Sequence, residues 1–361
     1  MATTRIKAGI VGCGGIANGK HLPSAEKTKL VEFIAFCDIV EDRASEAAKK
    51  YGVENAEVTT DYNELLKNKD IEVVYVCTPN RSHSEISVAA LKAGKHVMCE
   101  KPMAINSAEA KKMVEAAKES GKLLTIGYQC RYRPENLHAR HIAERGDLGD
   151  MYYARAKALR RRAVPTWGVF LNEKEQGGGP LIDIGTHALD LTLWTLGNYK
   201  PKYAVGSVYH KLNDQTQSGN AWGDWDPKDF TVEDSAFGFV VMENGATVTI
   251  ESSWALNDRN CKEATLTISG TKAGMDFEGG LHINGVADGR QYTTKIDMAG
   301  GGVAFYEGSG NASPEVAEQI VFLNAVRGKG ELIVTPEQAY IVTLILEGIY
   351  ESAKTGKPYF F

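Results

Sequence analysis

Short β-branched and apolar runs at 6–11, 31–37, 73–77, 96–99 and 123–126 predict strands, and the Ala-, Glu-, Lys- and Leu-rich stretches 42–51, 61–67, 82–93 and 107–120 between them predict helices. Several of these helices open on a capping Ser or Asp, as in Ser107-Ala-Glu-Ala. Strand–helix alternation at this rhythm implies right-handed crossovers and a parallel sheet covered on both faces, a doubly wound α/β domain. Its ligand belongs at the carboxyl ends of the strands. From about Gly127 the pattern changes, and strands at 151–158, 203–208, 236–241, 246–252 and 264–269 follow one another with few helices between. Asn244-Gly245 marks a hairpin turn between two of them. The expectation is therefore a first domain over 1–127 and an α+β domain over 128–361, built on a large, mainly antiparallel open sheet and closed by a helix from Pro336 to about Ala353. The open face of such a sheet needs a cover, so a homo-oligomer is expected.

A length of 361 residues exceeds what one hydrophobic core usually organises, in keeping with two domains. With 43% apolar and 24% charged residues the composition is that of an ordinary globular protein. A net charge of -5 offers no global attraction to phosphate backbones or anionic lipid, so neither nucleic acid nor membrane is an expected partner. The stretch Met1-Ala-Thr-Thr-Arg-Ile-Lys7 lacks the pattern of a signal peptide, and no apolar run reaches bilayer length. The 6 cysteines lie singly with no Cys-x-x-Cys pair, which argues against a zinc ribbon or a disulfide framework. They read as reduced, buried thiols, and a cytoplasmic location is expected.

Chemistry begins at Gly12-Cys13-Gly14-Gly15-Ile16-Ala17, a G-x-G-x-x-A sequence directly after the first strand. Gly12 permits the tight turn, Gly14 lets the backbone approach a pyrophosphate, and the small Ala17 allows close helix–strand packing. Asp38 ends the next strand, 21 residues after Ala17, where a carboxylate accepts hydrogen bonds from the adenosine ribose and repels a 2′-phosphate. Together these predict NAD rather than NADP. Arg43 has two readings, a guanidinium near the adenine and a solvent-facing residue in the first turns of a helix.

Two further segments follow successive strands: Thr78-Pro79-Asn80 with His83, and Glu100-Lys101-Pro102. Pro102 biases Lys101 towards an extended backbone, so that its ammonium can be held in one direction and stabilise a developing alkoxide. An exposed surface lysine is the alternative, and His83 can equally cap or pack. In the second half, Gly177-Gly-Gly179-Pro180 leads into an apolar helix ending at Gly197, on which Asp183 and His187 share one face at i, i+4. A histidine titrating near neutrality beside an orienting carboxylate suits proton transfer from a secondary alcohol. A buried structural pair is the other reading, and a metal site lacks an obvious third ligand.

The glycine sequence, Glu100-Lys101-Pro102 and Asp183-x-x-x-His187, in this order and over nearly the whole chain, resemble the glucose-fructose oxidoreductase and inositol 2-dehydrogenase family (Gfo/Idh/MocA). The resemblance implies a Rossmann domain, a second domain with a large open sheet, NAD or NADP, and polyols or sugars as substrates. It makes Lys101, Asp183 and His187 the catalytic set. It also places Gln129 and Arg131 beside the nicotinamide and substrate, and Trp167 along the same cleft. The cofactor set expected overall is Gly12, Gly14, Gly15, Ile16, Asp38, Arg43, Thr78, Pro79, Asn80, His83, Glu100, Lys101 and Gln129. Arg160-Arg161-Arg162 reads either as a site for an anionic substrate group or as a solvated or subunit-facing stretch. Trp222-Gly-Asp-Trp225-Asp suits sugar stacking, or is an ordinary surface insertion. The stretches 165–167 and 176–179 resemble family members acting on glucosides, so oxidation of a glucoside at C3 is the expected reaction. An inositol or polyol dehydrogenase, an NAD-dependent glycosidase without net redox change, and a redox-inert NAD or sugar sensor stay open.

Overall fold

The first strand, β1 (Ile6–Val11), is buried along almost its whole length because it lies in the middle of a parallel sheet. The remaining strands of that sheet are β2 (Val31–Cys37), β3 (Gly52–Thr59), β4 (Val73–Val76), β5 (His96–Cys99) and β6 (Leu124–Ile126). In this computed structural model, which describes residues 4–215, 219–298 and 312–361, they run in the order β3-β2-β1-β4-β5-β6. Every pairing is parallel, so the order reverses between β1 and β4 and opens a crevice at their carboxyl ends. Helices Glu41–Tyr51, Tyr62–Lys67, His83–Lys92 and Ser107–Ser120 fall where the pattern predicts them, and Asn106 caps the last by accepting from the Glu109 N–H.

Strand β3 was not legible in the sequence. It is an edge strand, paired on one side, with most of its residues exposed, Val53 and Val58 among them.

The chain packs into two compact units, Met1–Tyr132 with Ala312–Tyr340, and Arg133–Asn311 with Ile341–Phe361. The expected division at 127/128 differs from this, because a helix at Pro314–Val326 returns to the first unit. Its Phe322 and Leu323 belong to the same buried cluster as Ile10, Phe36, Tyr75 and Met98. Further along, the Thr125 hydroxyl donates to the Val334 carbonyl, and the Arg131 guanidinium donates to the Ile333 carbonyl (2.8 Å) and to Gln338 Oε1 (2.6 Å). Arg131 is fully buried. This corrects its expected role beside substrate: the side chain is spent on fastening the returning segment. The final helix, Pro336–Thr355, starts in the first unit and continues into the second.

The second unit is built on a sheet of nine strands: β7 (Met151–Leu159), β8 (Pro201–Tyr209), β9 (Ser235–Met242), β10 (Thr247–Ser253), β11 (Thr265–Gly270), β12 (Ala273–Asp276), β13 (His282–Ala287), β14 (Arg290–Lys295) and β15 (Tyr359–Phe360). Their order is β14-β13-β12-β11-β7-β10-β9-β8-β15, antiparallel except where β7 meets β10. The β9–β10 hairpin turns at Asn244-Gly245 as expected, with Gly245 at φ 85°. Residues alternate across the sheet. Ala154, Ala156, Ala204, Val240, Val248, Ile250 and Ile268 are buried on one face, while Val205, Tyr209 and Phe239 on the other are about two-fifths exposed. Residues 1–3, 216–218 and 299–311 lie outside the described residues.

Gly12 sits at φ 89°, and a Cβ there would lie 2.6 Å from the Cys77 carbonyl carbon and oxygen. Gly12→Ala is therefore expected to cost roughly 2 kcal/mol or more in urea unfolding of the full chain, through combined strain and clash. Arg131→Ala leaves two acceptors unpaired in a cavity and should cost about 3 kcal/mol by the same measurement. A loss below the measurement error in either variant would contradict the packing described.

Candidate active site

The glycine turn is held from behind by Asp38. One carboxylate oxygen accepts from the Cys13 N–H at 2.8 Å and the other from the Val40 N–H at 2.9 Å, so a nearly buried Asp38 ties the turn to the end of β2. It does not cap the following helix, whose N-cap is Val40. At Gly14 and Gly15 an added Cβ would meet nothing within 4 Å, so these glycines leave space rather than relieve a clash. Ile16 is partly exposed, Ala17 is buried, and Arg43 is an exposed residue of the next helix's first turn.

At the end of β4, the buried Thr78 hydroxyl has no hydrogen-bond partner among the described residues. An orphaned hydroxyl there, a turn only glycine can make and a carboxylate just after β2 fit a dinucleotide at the crevice. Pro79 is exposed and Asn80 is buried. His83 is differently employed: one ring nitrogen lies 2.7 Å from the Pro102 carbonyl and the other 2.8 Å from the Thr78 carbonyl. Burial pushes its pKa down. The ring therefore joins the two loops after β4 and β5, and its nitrogens are already engaged.

Glu100 is buried and fully committed. Its Oε1 receives Lys20 Nζ and His21 Nε2, both at 2.7 Å, and its Oε2 accepts from the Lys101 N–H at 3.0 Å. Burial opposes its charge, but Lys20 and His21 more than compensate and hold the carboxyl well below the usual range. Lys20 also donates to Gln129 Oε1 at 3.0 Å. Glu100 thus fixes the backbone from which Lys101 projects instead of offering its carboxylate outward. Lys101 itself is partly exposed, and the Lys101–Pro102 peptide bond is cis.

In the second unit, the glycine run is drawn against Glu233, which accepts from the Gly179 N–H (2.7 Å), the Leu181 N–H (3.1 Å) and the Tyr350 hydroxyl (2.8 Å). A Cβ at Gly179 would sit 2.1 Å from the Glu233 carbonyl oxygen. Burial pushes Glu233 up to about 7 despite these donors. The expected regular helix is instead a wide π-helical turn, Leu181–Gly185, followed by an α-helix, Thr186–Leu196. Asp183 lies in the wide turn and His187 in the first turn of the α-helix, both largely buried. Asp183 Oδ2 accepts from the indole N–H of the fully buried Trp254 at 2.9 Å. Such turns recur at functional sites.

Trp167 is half exposed and meets Trp222 edge-on, ring centroids 4.8 Å apart. Next to the pair lies a cleft of about 380 Å³ lined by Trp167, Asn172, Asp224, Asp226 and Thr231 among others. Trp225 is buried and donates to the Asn213 carbonyl. Arg160 makes a two-point pair with Glu263 at 2.6 and 2.9 Å and lies over the Trp222 ring, so of the three arginines it supports the aromatic pair. Among the described residues no group of three or more His, Cys, Asp or Glu side chains is placed to hold a metal ion.

Lys20, His21, Glu233 and Trp254 were not found from the sequence. Lys20 and His21 follow the glycine turn at once, yet a lysine reads as solvent-exposed until its partners, 80 and 79 residues away, are known. Glu233 and Trp254 act across 54 and 71 residues.

Residues 6–128 match the oxidoreductase family with an NAD-binding Rossmann fold, and residues 136–276 match the GFO/IDH/MocA C-terminal domain. D-glucoside 3-dehydrogenase of Escherichia coli is 35% identical over 357 residues, covering 99% of this chain and 97% of that one. Levoglucosan dehydrogenase of Pseudarthrobacter phenanthrenivorans is 28% identical over 338 residues, covering 86% and 84%. Inositol 2-dehydrogenase of Salmonella typhimurium is 36% identical over 163 residues, covering 45% of this chain and 48% of that one. A solved levoglucosan dehydrogenase in complex with NADH has the same fold, with a TM-score of 0.83 at 23% identity over 99% of both chains. With both its parts matched, the chain belongs to the Gfo/Idh/MocA oxidoreductases and carries their NAD-binding Rossmann fold.

Proposed function

We propose that the chain oxidises a secondary hydroxyl of a sugar or glycoside with NAD, with C3 of a glucoside as the preferred position and a 3-keto sugar as product. The observation that carries this reading is the similarity to D-glucoside 3-dehydrogenase along 99% of the chain, whereas inositol 2-dehydrogenase matches over 45%. NAD, when bound, supplies the acceptor for the hydride that leaves the carbinol carbon.

The protein's own residues do the remaining work. Gly12 to Ile16, Asp38, Thr78 to Asn80 and Gln129 hold the dinucleotide. His187 takes the hydroxyl proton, a role suited to an imidazole near neutral pH. Asp183, fixed by the Trp254 indole, orients His187 or the substrate. Lys101, on a backbone anchored by Glu100, stabilises the alkoxide as the proton leaves. Trp167 offers an exposed ring for the apolar face of a sugar. The alcohol loses one hydride and one proton, and both have a named destination.

No helix among the described residues is long and apolar enough to cross a membrane. A cytoplasmic location is proposed from the six cysteines, which lie singly along the sequence with no Cys-x-x-Cys pair. A homo-oligomer is proposed from the sheet face that carries Val205, Tyr209 and Phe239.

The proposal is tested by following NADH absorbance and keto-sugar formation with an alkyl glucoside, free glucose and an inositol. The glucoside should turn over fastest, and equal inertness of all three would sink the reading. Release of aglycone without net NADH would instead indicate a glycosidase. Lys101→Ala and His187→Ala should each lower kcat/KM by on the order of 10²-fold or more. Full turnover by the Lys101 variant would contradict its assignment.

A further inference from the structure

Behind Glu100 lies a buried polar cluster larger than the site itself needs. Lys20, the fourth residue of the π-helical turn Ala17–His21 after the glycine loop, points its ammonium at two carboxylates: Glu100 at 2.7 Å, and Glu318 of helix Pro314–Val326 at 3.2 Å. Next to them, His21 Nε2 meets Glu100, its Nδ1 lies 3.1 Å from Gln319 Nε2, and Gln319 Oε1 accepts from the Tyr75 hydroxyl at 2.7 Å. Burial, reinforced by Lys20, pushes the His21 pKa down. The chain of partners then assigns its tautomer: Nε2–H donates to Glu100 and Nδ1 accepts from Gln319. The histidine is neutral, so two carboxylates share one ammonium.

The two carboxylates are not equivalent. Glu100 collects Lys20, His21 and the Lys101 N–H. Glu318 is 1% exposed, and among the described residues neither of its oxygens has a partner in good hydrogen-bond geometry, its one close cation being Lys20 at 3.2 Å. A buried carboxylate without donors is costly to ionise, and a proton removes that cost. Burial first, with Glu100 adding to it and Lys20 opposing it, pushes Glu318 up to about 7. The titratable groups around it are Lys20, Glu100, Tyr75 on β4, and Glu315 on its own helix, with His21 behind Glu100.

We propose that Glu318 is a proton-linked positioning residue for the cofactor loops. With Glu318 neutral, Glu100 is the one charged partner of Lys20, which ties the turn after the glycine loop to the Lys101 step. With Glu318 ionised, the ammonium is shared between two carboxylates and the tie slackens. The returning helix, which touches neither the glycine turn nor Lys101 through Glu318 itself, thereby makes NAD binding depend on pH. The inference rests on Lys101 and the glycine turn serving the cofactor, but not on the identity of the sugar.

The sign for stability follows from the raised pKa. The folded chain keeps a proton that the unfolded chain releases, so the contribution of Glu318 is present below its ordinary value of 4.5 and is lost as pH rises towards about 7. The near-isosteric Glu318→Gln cannot ionise. In the full-length protein, NADH affinity by fluorescence titration and Tm are measured from about pH 6 to about pH 8, across the neutral range in which a raised carboxyl titrates. Wild type should lose NADH affinity several-fold over that interval, while Glu318→Gln keeps its low-pH affinity throughout and gains in Tm relative to wild type as pH rises. Lys20→Met, if folded, should bind NADH weakly at every pH without a step. Superimposable pH profiles for wild type and Glu318→Gln would overturn the proposal, as would a pH-independent loss of affinity in Glu318→Gln. A protein that shows the expected NADH profile yet oxidises no sugar overturns the proposed substrate alone.

Discussion

The first unit is organised around one buried carboxylate. Glu100 has to be ionised to hold Lys20, His21 and the Lys101 N–H at once, and a charge buried to this depth survives only with such partners. Removing one member of a buried ion pair typically costs about 3 to 5 kcal/mol, which gives the arrangement stiffness rather than net stability. The same three contacts bring together the turn after the glycine loop, the end of β5 and the backbone of Lys101. A lysine meant to stabilise an alkoxide has to project from a fixed point, and Glu100 supplies that point.

The second unit solves a similar problem with different means. Its catalytic candidates sit at the start of a helix that has to begin close against the sheet, and Glu233 draws the glycine run into place through two backbone amides and the Tyr350 hydroxyl. Ser252 donates to the Pro180 carbonyl and Trp254 to Asp183, so two alternate residues at the end of β10 fix the wide turn. The supports are one buried carboxyl, Glu233, and the uncharged donors Ser252 and Trp254.

What the sequence made legible follows from the range over which each signal acts. Strand–helix alternation, the turn at Gly12 and the carboxylate at Asp38 are local, and they marked the parallel Rossmann sheet that the family match bears out. The hairpin at Asn244-Gly245 was legible for the same reason. Edge strand β3 escaped because a largely exposed strand, valines included, carries no alternation of apolar and polar positions that separates it from a loop. The returning helix and the buried Arg131 escaped for another reason: the guanidinium meets partners 202 and 207 residues away, and no local pattern distinguishes a buried arginine from one facing substrate. Glu100 and His83 were placed at the correct strand ends but assigned to ligand contact, whereas their polar atoms serve the loops themselves. The family resemblance supplied the expected chemistry, and the hydrogen bonds show which of its residues support the loops.

The central claim is that a carbinol hydride of a glucoside is transferred to NAD while His187 takes the hydroxyl proton. A glucoside carrying deuterium at C3 tests it directly, by mass spectrometry of the reduced cofactor after turnover. The account predicts one deuterium in each NADH and a 3-keto product without it. NADH formed from that substrate without deuterium would place the oxidation at another carbon, and complete absence of reduced cofactor would contradict the account altogether.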